Sequence, residues 1–293
     1  MNVMKKLSYF IRSIRWFEIA VRTGAPIIAI LIISPSLNLS TITRIIHSFL
    51  AFFFLWAHGY AFNEWGGYDF DKNDTSKAKT PLLAGHITHR QLFFVSILFA
   101  TITIIMYSLL NIKLILIVIF DIIMGFVYVH PKILLKNVPI VSFIILFVVS
   151  INDFLLGWLI FSSDISRGLL IGIYFGILGI TGQHFHEAGD HDSDKKANIK
   201  TNAVRFGKKH IFILGFFFYT ISFVYFLILS FIKIIPEYLY MILIMTYPVY
   251  IAIFYRCLKS GVTTSGVHNF VRKYRLLYGI IGLCFIILLL LGK

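Results

Sequence analysis

Charge is what this sequence has least of. Only 14% of its 293 residues are Asp, Glu, Lys or Arg, against 58% that are hydrophobic and 17% that are aromatic. A soluble domain of this length needs far more charged surface, so the composition excludes one and points to an integral membrane protein. Cysteine is nearly absent: Cys257 and Cys284 both sit in or beside apolar runs. Two thiols so placed supply neither a disulfide framework nor a zinc site. Acidic residues number 13 against 27 basic ones, a net charge of +14. Basic loops beside an anionic leaflet account for that excess, and nucleic acid is not needed as a partner. Also missing is a small-residue cleavage site after the basic start. The first apolar run carries Glu18 and Arg22 and is expected to stay in the chain.

What is there is a series of nine apolar runs long enough, or nearly so, to cross a hydrocarbon core as helices. They lie at 16–33, 45–62, 91–110, 114–129, 139–161, 169–183, 211–232, 235–255 and 276–291. Lys and Arg collect in alternate connections: before the first run, then after the second, fourth, sixth and eighth. Such loops face the cytoplasm. The expectation is an all-α, polytopic transmembrane bundle of nine helices, one domain over residues 1–293. Its N-terminus is cytoplasmic and its C-terminus outside; in a bacterium the membrane is the inner, or plasma, membrane.

Two acidic segments interrupt the oil, NEWGGYDFDKND at 63–74 and HEAGDHDSD at 186–194. Both fall on the expected cytoplasmic face. In the second, His186, Asp190 and Asp194 recur every four residues, one stripe of a helix. Like charges so arranged repel unless a cation lies between them. Oxygen ligands of this kind suit Mg²⁺, which keeps its remaining positions for water and phosphate oxygens. The alternative is a solvated acidic helix end with no ligand. In the first segment Asn63, Asp69, Asp71 and Asp74 do not share one face. Gly66 and Gly67 are expected to break or loosen the helix there, and Glu64 is a further candidate ligand.

These motifs and their order resemble the UbiA superfamily of intramembrane prenyltransferases, which has nine transmembrane helices and two Asp-rich motifs, NDxxDxxxD and DxxxD or DxxDxxxD. Asn63 and Asp71 match the ends of the first motif, Glu64 replaces its usual aspartate and Gly67 stands at its middle aspartate. A second register treats the glycines as an insertion, puts Asp69 in the middle and closes on Asn73 or Asp74. Lys77 and TPLLAGHIT, at 80–88, resemble the family's basic stretch and RPLxxGxI, with Thr80 in place of arginine. Asp190 and Asp194 match the DxxxD core, and His186 is assigned to the first aspartate of the longer form. KKANIKTNAVRFG resembles KxAGIxTxAVRxG, with Asn198 at the glycine, where Asn can take the same left-handed turn. Tyr128 and Lys132 match YxxxK.

The resemblance implies transfer of an isoprenyl group from an isoprenyl diphosphate to a small-molecule or lipid acceptor. An aromatic acceptor is the common case, and Mg²⁺ the cofactor. It implies Asn63, Asp69, Asp71, Asp190 and Asp194 as metal ligands. Asp71, Asp190, Asp194 and Lys132 are the catalytic set. Asn63, Lys77, Tyr128 and Lys132 bind substrate, with the two lysines donating to the leaving phosphates. Asp121 lies at i−7 from Tyr128, about 10 Å deeper along a regular helix. It is a candidate for the acceptor wall or a carboxylate bonded to a neighbouring helix. Arg22 is a candidate to bind an anionic acceptor or to pair with Glu18 one turn back, the local ion pair being favoured, and Asn152 and Asp153 are expected to bond between helices. Three rival readings are weighed. A histidine-box oxygenase needs more histidine groups than the one at 184–191. A cation-coupled transporter using Asp121 and Asp153 leaves the acidic segments unexplained. A terpene cyclase or degenerate member of the same fold would ionise the diphosphate without an acceptor.

Overall fold

A computed structural model describes residues 3–72, 78 and 80–292, apart from the side chains of residues 3–7 and 17. The described residues form twelve α-helices and no strand: α1 Val3–Ser13, α2 Trp16–Arg22, α3 Gly24–Ile33, α4 Leu39–Asp71, α5 His89–Leu110, α6 Leu114–Val129, α7 Val141–Phe161, α8 Ile165–Lys196, α9 Asn202–Phe206, α10 Lys208–Phe231, α11 Tyr240–Lys259 and α12 Thr264–Leu291. Seven are long and apolar enough to cross a membrane: α4, α5, α7, α8, α10, α11 with its leading turn, and α12. Bulky apolar side chains face outward along them, Met245 at 73% and Leu291 at 76% exposure, as lipid-facing positions require.

Seven spans by length stand against the nine expected. The eighth candidate, α6, is 16 residues long, or about 24 Å. The other expected span, 16–33, divides into α2 and α3. Pro26 is the third residue of α3, so its ring nitrogen has no hydrogen for the carbonyl of Arg22, four residues back, and its ring crowds that carbonyl. Polar caps begin the longer helices: Asn38 accepts the N–H of Thr41 at 2.9 Å, Thr88 forms a capping box with Gln91, and Asp164 accepts the N–H of Arg167 at 3.0 Å.

The chain packs as two compact units, Met1–Thr23 with Ser36–Lys136, and Gly24–Pro35 with Asn137–Lys293. In the first, three histidines tie α4 to α5: His47 Nε2 to the Met106 carbonyl at 2.9 Å, His58 Nδ1 to the Ser96 carbonyl at 3.0 Å, and His89 Nε2 to the Trp65 carbonyl at 3.0 Å. Partner numbers fall on α5 as they rise on α4, so the helices run antiparallel in one register. Arg22 lies 3.7 Å over the Trp56 ring, a cation–π contact. In the second unit, Phe154, Phe175, Phe185, Phe212, Tyr250 and Phe270 centre an aromatic core.

Candidate functional site

Residues 63–71 of the first acidic segment form the C-terminal end of α4, which runs unbroken to Asp71. The expected break at Gly66 and Gly67 is therefore wrong, and packing explains why glycine stands there. A Cβ on Gly66 would lie 2.6 Å from the carbonyl oxygen of Val129, so Gly66 lets α4 and α6 touch backbone to backbone. A Cβ on Gly67 would lie 3.1 Å from the Asp71 carboxylate, which folds back over that open spot. On this continuous helix Asn63, Gly67 and Asp71 follow one another every four residues in one stripe. Asp69 lies about 160° around the helix from Asp71 at 100° per residue, exposed and paired with Lys72 at 3.0 Å. Asn73, Asp74 and Lys77 lie outside the described residues.

In the same unit α6 carries Asp121, 8% exposed, and half-buried Tyr128. Lys132 is not on the helix as a regular extension would have it. α6 ends at Val129, with His130 extended at φ −60° and ψ 126°. Pro131 imposes that geometry on the residue before it, and Lys132 follows in a turn, exposed. Lys136 stands 5.2 Å over the Phe70 ring near the end of α4. Glu64 turns to the loop beyond the motif, where its Oε1 accepts the N–H of Leu82 at 3.4 Å. The Ser13 hydroxyl and the Arg15 charge also lie beside it.

The second acidic segment is the C-terminal end of α8, helical through Lys196. His186 Nε2 lies 3.5 Å from Asp190 Oδ2, and Asp194 Oδ2 accepts the Thr201 hydroxyl at 3.2 Å. Asn198 takes the left-handed conformation expected of it, φ 55°, and the turn brings the N–H of Ile199 to the Asp194 carbonyl at 2.9 Å. Within the same unit α7 buries Asn152 and Asp153, 8% and 3% exposed.

Two further groups here were not singled out by sequence. Asp192 forms a latch between helices: its Oδ2 takes Lys208 Nζ at 2.8 Å and the Thr264 hydroxyl, while Oδ1 meets His191 Nδ1 at 2.7 Å. Glu187, 3% exposed, is a buried hub. Its Oε1 accepts from Gln183 at 3.1 Å, Asn202 at 3.2 Å and Ser142 at 3.3 Å; its Oε2 accepts the N–H of Ala203 at 3.3 Å. Counting back from Asp190 by the DxxDxxxD spacing reaches Glu187 rather than His186, so the first aspartate of the longer motif corresponds to the glutamate. That spacing was the signal available in the sequence. Among the described residues, no three His, Cys, Asp or Glu side chains gather as a metal cluster. On α4 Asn63 and Asp71 stand two turns apart, about 12 Å along the axis, whereas on α8 Asp190 and Asp194 stand one turn apart.

Comparisons with known proteins agree on the fold. Searched by sequence, the chain matches no curated protein. Among solved structures it is similar to a digeranylgeranylglyceryl phosphate synthase, with TM-score 0.71 and 18% identity over 97% of this chain and 98% of that one. A UbiA homologue from Archaeoglobus fulgidus bound to GPP and Mg²⁺ superposes with TM-score 0.71 and 20% identity, over 95% of this chain and 99% of that one. The apo UbiA homologue from Aeropyrum pernix K1 gives 0.70 and 14% over 91% and 97%. The UbiA prenyltransferase family model matches residues 24–271. With its apolar helices and two acidic helix ends, this chain is an integral, multi-pass membrane protein that belongs to the UbiA prenyltransferase family.

Proposed function

We propose that the protein transfers an isoprenyl group from an isoprenyl diphosphate to a small-molecule or lipid acceptor within the membrane, using Mg²⁺, with an aromatic ring as the first acceptor class to test. The observation that carries this reading is the pair of long helices that each end in a stripe of oxygen donors, Asn63 with Asp71 and Asp190 with Asp194. The donor set fits a hard divalent cation that takes few protein ligands and leaves room for phosphate oxygens and water. GPP and Mg²⁺ bound to the Archaeoglobus fulgidus homologue support the same choice. When bound, Mg²⁺ supplies Lewis-acid neutralisation of the diphosphate leaving group.

The chain's own residues do the rest. Asn63, Asp71, Asp190 and Asp194 would hold the cations, with Asp69 the alternative in the first segment. Lys132, Lys77 and Tyr128 donate to the phosphate oxygens as negative charge accumulates there. The C–O bond breaks with its electron pair going to the diphosphate, the acceptor's electron pair closes the new bond to the isoprenyl carbon, and the acceptor releases a proton. Asp121 lines the acceptor side. In this reading the run 16–33 and α6 also cross the bilayer, giving nine crossings, and the acidic helix ends face the cytoplasm.

The test is purified protein in lipid nanodiscs with labelled isoprenyl diphosphates, a panel of acceptors, and Mg²⁺ or EDTA. Diphosphate release that needs Mg²⁺, with label appearing on an acceptor, is the expected result. Neither release nor binding of any isoprenyl diphosphate would overturn the reading. Release without an acceptor product across the panel would favour a cyclase of the same fold.

A further inference from the structure

Each acidic segment contains one glutamate, and the two occupy equivalent places. Glu64 stands seven residues before Asp71, and Glu187 seven before Asp194. Two helical turns separate the members of each pair, so each glutamate lies on the stripe of its closing aspartate about 10 Å along the helix. Each also reaches across to a backbone N–H in the stretch of chain after its own motif, Glu187 to the first turn of α9. Glu64 takes Leu82 at 3.4 Å and Glu187 takes Ala203 at 3.3 Å. In each case a carboxylate two turns before the closing aspartate holds a later residue of the chain, Leu82 or Ala203.

Resting on the prenyltransferase reading, we propose that Glu64 and Glu187 are positioning residues rather than metal ligands: each holds a stretch of chain that follows its motif, and Glu187 thereby sets the orientation of Asp194. The second unit shows the linkage in full. Four neutral donors surround the Glu187 carboxylate, three on Oε1 and one on Oε2. A carboxylate offers about four lone-pair sites, two on each oxygen, so Oε1 is fully engaged by protein donors and Oε2 keeps one site beyond its bond to Ala203. Asn202 extends the grip, giving Nδ2 to Ser142 at 2.9 Å and accepting the N–H of Ile140 on Oδ1 at 2.7 Å. Thr201, the residue before it, is the one whose hydroxyl bonds Asp194 Oδ2. Fixing Ala203 and Asn202 therefore fixes the donor that orients Asp194. Length decides the fit: aspartate, one methylene shorter, cannot span from the helix to the returning loop, whereas glutamine keeps the reach and one acceptor oxygen.

The ranking of substitutions tests this directly. A metal ligand tolerates Glu→Asp, which keeps the charge, better than Glu→Gln. A loop pin tolerates Glu→Gln better than Glu→Asp. For Glu64→Asp and Glu187→Asp the expected result is a rise of roughly 10–100-fold in the Mg²⁺ concentration for half-maximal activity, with kcat at saturating Mg²⁺ largely kept. Glu64→Gln and Glu187→Gln stay closer to wild type. The second readout is trypsin cleavage after Lys200 and Arg205, faster in Glu187→Asp than in Glu187→Gln. Should Glu187→Asp not fold, Asn202→Ala removes the loop side of the same linkage and is expected to show the same Mg²⁺ shift and the same faster cleavage. The reverse ranking, or wild-type Mg²⁺ dependence in the Asp variants and in Asn202→Ala, would overturn the proposal. A wild-type protein without Mg²⁺-dependent turnover would instead sink the prenyltransferase reading, while the cleavage ranking would still decide the pin.

Discussion

Replacing Gly66 by alanine adds one methyl group where the structure has no room for it. The Cβ would stand 2.6 Å from the Val129 carbonyl oxygen and 3.2 Å from its carbonyl carbon, whereas ordinary contact begins at 3.4 Å. The shortfall to the oxygen is 3.4 minus 2.6, or 0.8 Å. The obstacle is backbone, so no side-chain rotation relieves it and α4 must move from α6. Overpacking of this kind costs about 1–3 kcal/mol, and the helix preference of Ala over Gly returns about 0.5–1 kcal/mol. The net expectation is a loss of up to about 2.5 kcal/mol. Gly125, on α6, has nothing within 4 Å of its would-be Cβ, so Gly125→Ala gains the helix term alone. Thermal unfolding of both variants in one detergent should show Gly66→Ala below wild type and Gly125→Ala at or above it. Asn63 and Asp71 ride on α4 and Tyr128 on α6, and a displacement near 1 Å between reacting groups costs on the order of 100-fold in rate. Turnover of Gly66→Ala should fall by at least about tenfold while Gly125→Ala keeps its rate. Equal stability and equal turnover in the two variants would refute the reading of Gly66 as the contact point.

Asp71→Asn is expected to lose most Mg²⁺-dependent turnover while Asp69→Asn keeps it, because the unbroken α4 turns Asp69 away from Asn63 and toward Lys72; parallel assays of the two variants, with the opposite outcome favouring Asp69, decide the point. Asp190→Ala and Asp194→Ala should each abolish turnover while the protein still elutes as one folded species on size exclusion, and full activity in both would remove the metal assignment from α8. Asn198, at φ 55°, should accept glycine with little change in unfolding temperature, whereas Asn198→Val should lose about 1–2 kcal/mol by forcing a β-branched residue into the left-handed region.

Periodicity and hydropathy made the bundle legible, and the 114–129 run coincides with α6 end to end. The windows stopped short where helices turned polar: the 45–62 run is the middle of α4, which continues to Asp71, and the 169–183 run is the middle of α8, which continues to Lys196. Backbone hydrogen bonding carries a helix past the point where its side chains become hydrophilic, and hydropathy does not register that. Gly66 and Gly67 illustrate the converse. Their intrinsic preference argues for a break, but the contact with Val129 overrides it, and a partner more than 60 residues away leaves no mark in a local pattern. Asn198 was readable because its conformation is a local property of the side chain. The motif spacing marks the position of Glu187, but its hub of contacts was not readable, because its partners Ser142 and Asn202 meet only in three dimensions.

The polar extensions of α4 and α8 also bear on how such a protein handles a substrate that is half salt and half oil. α4 carries its stripe nine residues past Phe62, the end of its apolar run, and α8 continues thirteen past Gln183, about 14 and 20 Å of helix. With the apolar runs placed in hydrocarbon, as the proposed function has them, their carboxylates reach headgroup height or beyond, where ions are already hydrated. An isoprenyl diphosphate lying in a leaflet has the same division along its length. On the proposed function it is engaged without lifting its tail into water, a transfer that would cost about 0.8 kcal/mol for each methylene. Lengthening the tail adds no such penalty, so any preference among isoprenoid lengths has to come from the shape of the apolar walls and not from solubility.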